Sequence, residues 1–525
     1  MPGKGPRNTG LAAIAVCLAA PCLWAQNGAR VLTVFSAADQ SQQPYAIAAP
    51  RSFEPGRTYP LVVSLHSEDS DHRLNLAQIQ GAAARGWIVA CPLARGAMGY
   101  RGIAEQDVYD VLDDVKRRFP VDEDRVYLTG ISMGGGGALW LAMTRPDVWA
   151  GVAALCADAV PGSEELAGNL LDLPVRLFHG DSDPVVPVAQ SRLWQRWLLD
   201  AGVPAAYFEY PLVRHNVWDI AYRGAVEDWF ATLRRNTDPE RVRFWTRSYR
   251  YSAAYWVRID GLTPGVLAAI DARRVGKNEV LVETRNVDGF SILGETAGAV
   301  IIDGAALRVK PAATESFTKT GNGWRAGLYQ PVGKRPGAEG PMVAAVSARH
   351  LYVYGSLGTP TAVELDARRK VAEDAAAWST TRARLALKLA VKRDTEVTPE
   401  DLETSNLVLF GTAWSNAVIA RLESALPLEL RPDAADYGLL FIAPVGKHYA
   451  LVNSGLAWWT GADDSAAAGY ALAPWQYRRL AALGDFLLFR GSPEHVVAEG
   501  RFDRNWKVPA DAAAKMTATG TIIIH

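Results

Sequence analysis

Arg125–Thr144 reads RVYLTGISMGGGGALWLAMT. A short apolar run (Val126, Tyr127, Leu128) ends at Gly130-Ile131-Ser132-Met133-Gly134, and a helical pattern (Ala138, Leu139, Leu141, Ala142) begins at once. The spacing predicts a strand, a sharp turn carrying GxSxG, and a helix, which is the context that makes this motif a nucleophile elbow. Such a turn forces strained backbone angles on the serine, and glycines on either side remove Cβ atoms that would strike the strand and the helix. Ser132 is therefore the candidate nucleophile. A phosphate-cradling loop is the competing reading, but GISMGGGG lacks both the Lys-Ser/Thr of a P-loop and the spacing of GxGxxG.

Outward from this stretch, 525 residues allow two or three domains, each large enough for its own core. A formal net charge of -1 and the lack of a Lys/Arg block give no electrostatic footprint for nucleic acid. Lys4 and Arg7 precede an apolar stretch from Leu11 to Trp24, followed by Ala25-Gln26. Residues 1–25 read as a signal peptide cleaved after Ala25, so the expected location is periplasmic or extracellular, and the run is too short to span a membrane. A lipid anchor through Cys22 is handicapped by Pro21, where such signals want a small residue. Beyond the leader only Cys91 and Cys156 remain, each ending an apolar strand-like run, so buried free thiols are expected rather than a disulfide.

Residues 26–236 alternate strands and helices. Strand candidates are Tyr45–Ala49, Tyr59–His66, Trp87–Cys91, the Val126 run, Gly151–Leu155, Val175–Phe178 and Ala206–Tyr210; helices fit Ala104–Phe119, the stretch after Ser132, Val188–Leu199 and Trp218–Leu233. This alternation predicts an α/β fold with a doubly wound, mostly parallel sheet, whose chemistry lies in the turns beyond the strands' carboxyl ends. HGDSDPVVP (His179–Pro187) follows one such strand and Val213-Arg214-His215-Asn216-Val217-Trp218 another. The order Ser132, Asp183, His215 is the Ser, Asp/Glu, His order of α/β hydrolases.

On DRVYLTGISMGGGGAL, HGDSDPVVP and the RHNVW turn, residues from Tyr45 to about Leu233 resemble an α/β hydrolase. The likeness is to the prolyl oligopeptidase catalytic domain and to secreted esterases of the feruloyl-esterase and polyhydroxybutyrate-depolymerase type. The resemblance implies Ser132 as nucleophile, Asp183 as acid and His215 as base. A serine hydroxyl needs such a base, and the base needs a carboxylate to hold its tautomer. The oxyanion needs two N–H donors: by motif Met133, and a second from the turn after the Tyr59–His66 strand, either Ser67 or Glu68.

The neighbouring polar residues take plainer roles. Asp181 is the alternative acid, but the resemblance places the acid directly before Pro184-Val185-Val186-Pro187. His179 reads as a hydrogen-bonded residue at a strand end, and His66 and His72 as supporting or solvated, since either as base would reverse the triad's chain order. Glu105, Asp107 and Asp110 share one helix side and read as a solvated face. No histidine and carboxylate grouping has metal-ligand spacing, so neither metal nor cofactor is expected.

Past the Thr237-Asp238-Pro239-Glu240 linker, residues 237–340 are rich in strand-like runs (Tyr255–Ile259, Val280–Glu283, Phe290–Leu293, Ala299–Ile302) and predict a β-rich, sandwich-like unit. Beyond the Gly/Pro cluster from Pro331 to Pro341, residues 341–525 predict a second α/β layer domain, with strands at Leu351–Tyr354, Leu385–Val391 and Leu407–Phe410 and a helix at Ala362–Trp378. This part resembles C-terminal extensions of some secreted peptidases, which imply no residue roles. Asn406 and Asn416 flank a glycine turn and suit capping. The 17 Trp and 18 Tyr are scattered apart from Trp458-Trp459, and sugar stacking would need an exposed platform.

Together these readings predict an exported serine hydrolase working through an acyl-enzyme, most simply on carboxylic esters, including acyl groups linked to polysaccharide. Prolyl oligopeptidases carry a long propeller before the catalytic domain, whereas only some tens of residues separate the leader from this one, which favours ester over peptide. A serine peptidase of that type is the alternative. A non-catalytic, polymer-binding scaffold is the third reading, opposed by a triad complete in chain order.

Overall fold

A computed structural model describes residues 28–158, 162–276, 279–378, 386–456 and 480–525. The predicted signal peptide, with Cys17 and Cys22, and Trp458-Trp459 lie outside the described residues.

The first sheet holds eight strands in the order β1-β2-β4-β3-β5-β6-β7-β8. They are β1 (Arg30–Ser36), β2 (Ser41–Ala48), β3 (Tyr59–Leu65), β4 (Ile88–Pro92), β5 (Val121–Ile131), β6 (Gly151–Leu155), β7 (Val175–Gly180) and β8 (Ala205–Tyr210). β1 and β2 are antiparallel to their neighbours and every later pair is parallel. This is the α/β-hydrolase sheet, with helices on both faces. Successive residues of β3 point to opposite sides, Leu61, Val63 and Leu65 into one core and Val62 into the other, which is why YPLVVSL is apolar without a break. The first core takes α3 (Ile103–Arg118), α4 (Met133–Thr144) and α5 (Ala189–Asp200); the second takes α1 (His72–Gln78), α2 (Gln80–Ala84) and α6 (Val226–Phe230). The expected Trp218–Leu233 helix is interrupted, because Tyr222, Arg223 and Gly224 have non-helical angles.

Eight more strands form a second, mostly antiparallel sheet: β9 (Arg241–Thr246), β10 (Ala253–Ala254), β11 (Val257–Leu262), β12 (Ala268–Val275), β13 (Glu279–Arg285), β14 (Val287–Ile302), β15 (Ala305–Thr320) and β16 (Gly323–Ala326). The sheet bends until its end strands β9 and β10 approach one another, enclosing Phe244, Trp256, Ile270, Phe290 and Phe317. Two expected strands, Phe290–Leu293 and Ala299–Ile302, are one strand, β14, whose register shifts between Leu293 and Gly298 break the alternation that a single strand would show.

The third sheet runs β18-β17-β19-β22-β21-β23-β24. Its parallel half is β17 (His350–Tyr354), β18 (Ala390–Arg393), β19 (Asn406–Phe410) and β22 (His448–Gly455), and its antiparallel half adds β21 (Tyr437–Val445), β23 (Phe486–Arg490) and β24 (Val496–Gly500). β20 (Leu428–Leu430) lies outside this sheet and pairs antiparallel with β25 (Ile522–Ile524), and with α7 (Ala362–Trp378) the seven strands make a second α/β layer structure. Of the strand expected over Leu385–Val391, Leu385 lies outside the described residues and the strand starts at Ala390, because residues 386–388 instead pair with the first sheet's rim. Asn416 caps the helix after β19, accepting from Val418 and Ile419 N–H, and Asn406 Nδ2 donates to Ala345 O while its Oδ1 accepts from Tyr449 N–H. Among the described residues no helix is long and apolar enough to cross a membrane.

Candidate active site

β5 ends at Ile131, and Ser132 turns the chain into α4 with φ 56° and ψ -118°, a left-handed conformation costing a serine on the order of 1–3 kcal/mol. The backbone around it is pinned. Ser132 N–H donates to Leu155 O (2.9 Å), and Ser132 O accepts from Gly136 N–H (3.0 Å). A Cβ on Gly130 would meet the Gly134 carbonyl, and one on Gly134 would lie 2.7 Å from His66 O and closer still to Leu65 O. Both glycines are therefore required by close backbone approach, as the motif predicts. Ser132 is buried, at 8% exposed.

Asp183 stands in the turn after β7 with its side chain fully buried. Its Oδ1 accepts from the N–H groups of Val185 (2.8 Å) and Val186 (3.0 Å), and its Oδ2 lies 2.7 Å from His215 Nδ1. Burial alone would raise this carboxyl, but the bonds from His215 and the two N–H groups outweigh it and hold it below the usual carboxylate range. His215, in the turn after β8, is 19% exposed and meets Trp218 edge-on. With Nδ1–H given to the carboxylate, Nε2 keeps its lone pair, the tautomer a general base needs.

Ser132 and His215 flank one feature, the end of β6. Ser132 N–H bonds Leu155, and Cys156 Sγ donates to His215 O (3.6 Å). No hydrogen bond joins Ser132 Oγ to His215; in catalytic pairs of this kind that bond is often long and tightens only in the Michaelis complex. Among the described residues the one cluster with ligand atoms close enough to share a metal is Cys156, Asp183 and His215, which is the hydrogen-bonded Asp183–His215 pair plus a buried thiol. Cys91 and Cys156 are both buried and free, and burial pushes both thiols up, so neither competes as a nucleophile.

Asp181 is not part of this group, since it accepts from Ser182 Oγ and Leu212 N–H. His179 sits behind Asp183: its Nε2 faces Asp183 Oδ2 (3.1 Å) and Val186 O (3.0 Å), and its Nδ1 accepts from Ser191 Oγ (2.7 Å). Burial lowers the His179 imidazole, so it donates to the Asp183 carboxylate as a neutral ring. The sequence marks His179 only as hydrogen-bonded; its service to Asp183 needs the turn's geometry.

The turn after β3 crosses the N-terminus of α4. Met133 N–H belongs to that helix's first turn, where backbone donors have no intrahelical acceptor. Ser67 is half-buried and Glu68 exposed, and Ser67 O accepts from Ser70 N–H (3.1 Å). His66 is fully buried, with Nδ1 2.7 Å from Ser67 O and Nε2 2.9 Å from Leu93 O, so it supports the turn rather than acting as a base. His72 is buried too, on α1. Tyr100 OH donates to His66 O (2.9 Å), and its ring occupies the space a Cβ on Gly137 would take. Burial pushes the Tyr100 phenol up, keeping it a donor. Nothing in the sequence near Tyr100 signals this role.

One expectation is overturned. Glu105 and Asp107 are not a solvated face but are 2% and 1% exposed. Glu105 Oε2 accepts from Tyr251 OH (2.6 Å), and Asp107 pairs with Arg95 Nε (2.5 Å) and Ser36 Oγ (2.9 Å). Their partners come from a distant turn and an edge strand, so no helical wheel predicts the burial.

Residues 106–216, which carry Ser132, Asp183 and His215, match the sequence model of a family described as "Putative esterase". The curated protein "Putative esterase NocK" of Nocardia uniformis subsp. tsuyamanensis is 39% identical over 77 residues, 15% of this chain and 22% of that protein. This chain thus matches less than a quarter of that relative's length. Among solved structures, a thermostable esterase is 24% identical over 39% of this chain and 63% of its own (TM-score 0.35). An acylaminoacyl peptidase bound to a chloromethyl ketone is 16% identical over 40% and 42% (TM-score 0.34), and a ferulic acid esterase 17% over 39% and 96% (TM-score 0.33).

Proposed function

We propose that the first sheet carries a serine hydrolase that cleaves carboxylic esters through an acyl-enzyme. The observation that carries this reading is Ser132, held left-handed at the end of β5, on the same rim as the Asp183–His215 pair at 2.7 Å. His215 Nε2 takes the Ser132 proton as Oγ attacks the acyl carbonyl, and Asp183 steadies the resulting imidazolium. The oxyanion is received by Met133 N–H and by Ser67 N–H, with Glu68 N–H the neighbouring candidate. Collapse expels the alcohol, protonated by His215, and water activated by the same ring then releases the acid.

Ester rather than peptide is supported by the esterase family match across the residues that carry the triad. Export is supported by the leader-like composition of residues 1–25. The test is turnover by the purified chain of 4-nitrophenyl acetate and methyl ferulate beside an aminoacyl-prolyl anilide. Ester hydrolysis abolished by Ser132→Ala is expected; anilide turnover at comparable efficiency would remove the ester reading.

A further inference from the structure

The loop that follows β4, LARGAMGYRG (Leu93–Gly102), is unusual in its backbone. Ala94, Arg95, Gly96, Gly99, Tyr100 and Gly102 all have φ between 44° and 85°. Three of these residues are not glycine, and such angles persist only where the surroundings over-determine them. Here the surroundings include both of the other sheets' units. At the loop's far end, Arg250, in the turn after β9, donates through Nη2 to Gly102 O (3.1 Å). At its near end, Arg95 is fully buried, with Nε on Asp107 Oδ2 (2.5 Å), Nη2 on Ser36 Oγ (2.5 Å), and Nη1 on Asp39 Oδ2 (2.6 Å) and Ala386 O (2.9 Å).

Ala386 belongs to the short segment that enters β18 of the third sheet, and its engagement is reciprocal. Ala386 N–H donates to Arg95 O (3.2 Å), Lys388 N–H donates to Asp39 Oδ2 (2.9 Å), and Leu387 packs against the first core. Main-chain groups some 290 positions downstream thus complete the shell of a buried guanidinium and one of its carboxylates. A buried guanidinium deprived of a partner is costly, so the segment fixes where Arg95 and its loop lie.

That loop in turn holds the oxyanion side of the site. Leu93 O accepts from His66 Nε2 and Tyr100 OH donates to His66 O, so His66 is fixed by ring and by carbonyl, with Ser67 next in the chain. We infer that residues 386–388 are a positioning element for catalysis: the C-terminal unit clamps Arg95, and the clamped loop sets the His66–Ser67 turn against the N-terminus of α4. This gives the C-terminal half a role in the reaction, and it rests on the serine-hydrolase reading above.

The test uses the full-length chain. Ala386→Pro with Lys388→Pro removes both backbone donors at exposed positions without altering any residue of the first sheet, and Ala386→Gly with Lys388→Ala keeps both N–H groups as the matched control. Losing a whole oxyanion donor costs on the order of 10²–10³ in kcat, so a misplaced one predicts a fall of about tenfold. The proline pair is expected to lower kcat for 4-nitrophenyl acetate by that factor with KM within about twofold, since the interaction lost is made in the transition state. Affinity for a trifluoromethyl ketone, whose serine adduct carries an oxyanion, should fall in parallel. The control pair should match the parent, and Lys388→Pro alone, the gentler change, should give a smaller fall in the same direction. A lowered thermal midpoint with kcat and ketone affinity unchanged makes the segment a mere structural tie and overturns the inference. A parent chain that turns over no ester removes the hydrolase reading itself, whereas an active parent with unaffected proline variants removes this inference alone.

Discussion

Gly134→Ala tests the packing that builds the site. A methyl at this position would lie 2.6 Å from the Leu65 carbonyl carbon and 2.7 Å from His66 O, both main-chain atoms. Ordinary contact needs about 3.4–4 Å, so either the end of β3 or the start of α4 must retreat by about 1 Å. The β3 end is not free to do so, since Tyr100 and Leu93 hold His66 from the other side. Overpacking of this kind costs about 1–3 kcal/mol of stability, and a displacement near 1 Å in a catalytic constellation costs about 10²-fold in rate, equivalent to ~2.7 kcal/mol of transition-state stabilisation. The assay is kcat and KM on 4-nitrophenyl acetate with the thermal midpoint, beside Gly321→Ala, where a methyl meets nothing within 4 Å. A Gly134→Ala chain with activity within threefold of the parent and an unchanged midpoint would refute the reasoning.

Other expectations follow from the same contacts. Asp183→Asn replaces the acceptor that fixes the His215 tautomer, and kcat should fall by about 10⁴ with the fold retained by circular dichroism. Iodoacetamide at pH 8 should leave activity intact, because Cys91 and Cys156 are buried and burial keeps both thiols protonated; inactivation would show that Cys156 is reachable from the cleft. Asp172 is pushed up to about 6 by burial, only partly relieved by Arg241 and Arg243. The folded chain then holds a proton there that the unfolded chain has released, so stability falls as pH rises from about 4 to about 6. The gain in thermal midpoint from Asp172→Asn should therefore be near zero at pH 4 and level off above pH 6, and a gain independent of pH would exclude this origin.

The elbow was legible because two signals meet at Ser132: an apolar run ends and a helical period starts with no linker between them, and only a strand–turn–helix satisfies both. The meeting of Asp183 and His215 was legible from their places in the turns after two strand-like runs. What escaped depends on partners remote in sequence. Glu105 and Asp107 look like a wet helix face until Tyr251, Ser36 and Arg95 are brought to them by the turn after β9, by β1 and by the loop after β4. Tyr100 and His179 each reach the site through a hydrogen bond, to His66 O and to Asp183 Oδ2, and no spacing rule encodes that. The strand expected at Leu385–Val391 begins late because Ala386 and Lys388 find hydrogen bonds on loops at the first sheet's rim, a tertiary choice that local pattern does not reveal.

The central claim, that Ser132 is an activated nucleophile served by His215, is tested most directly by intact-mass and peptide analysis after brief exposure to a fluorophosphonate. A single adduct on the peptide containing Ser132, absent from Ser132→Ala and strongly slowed in His215→Ala, is the predicted result. No adduct on the parent chain, or one that survives Ser132→Ala, would contradict it.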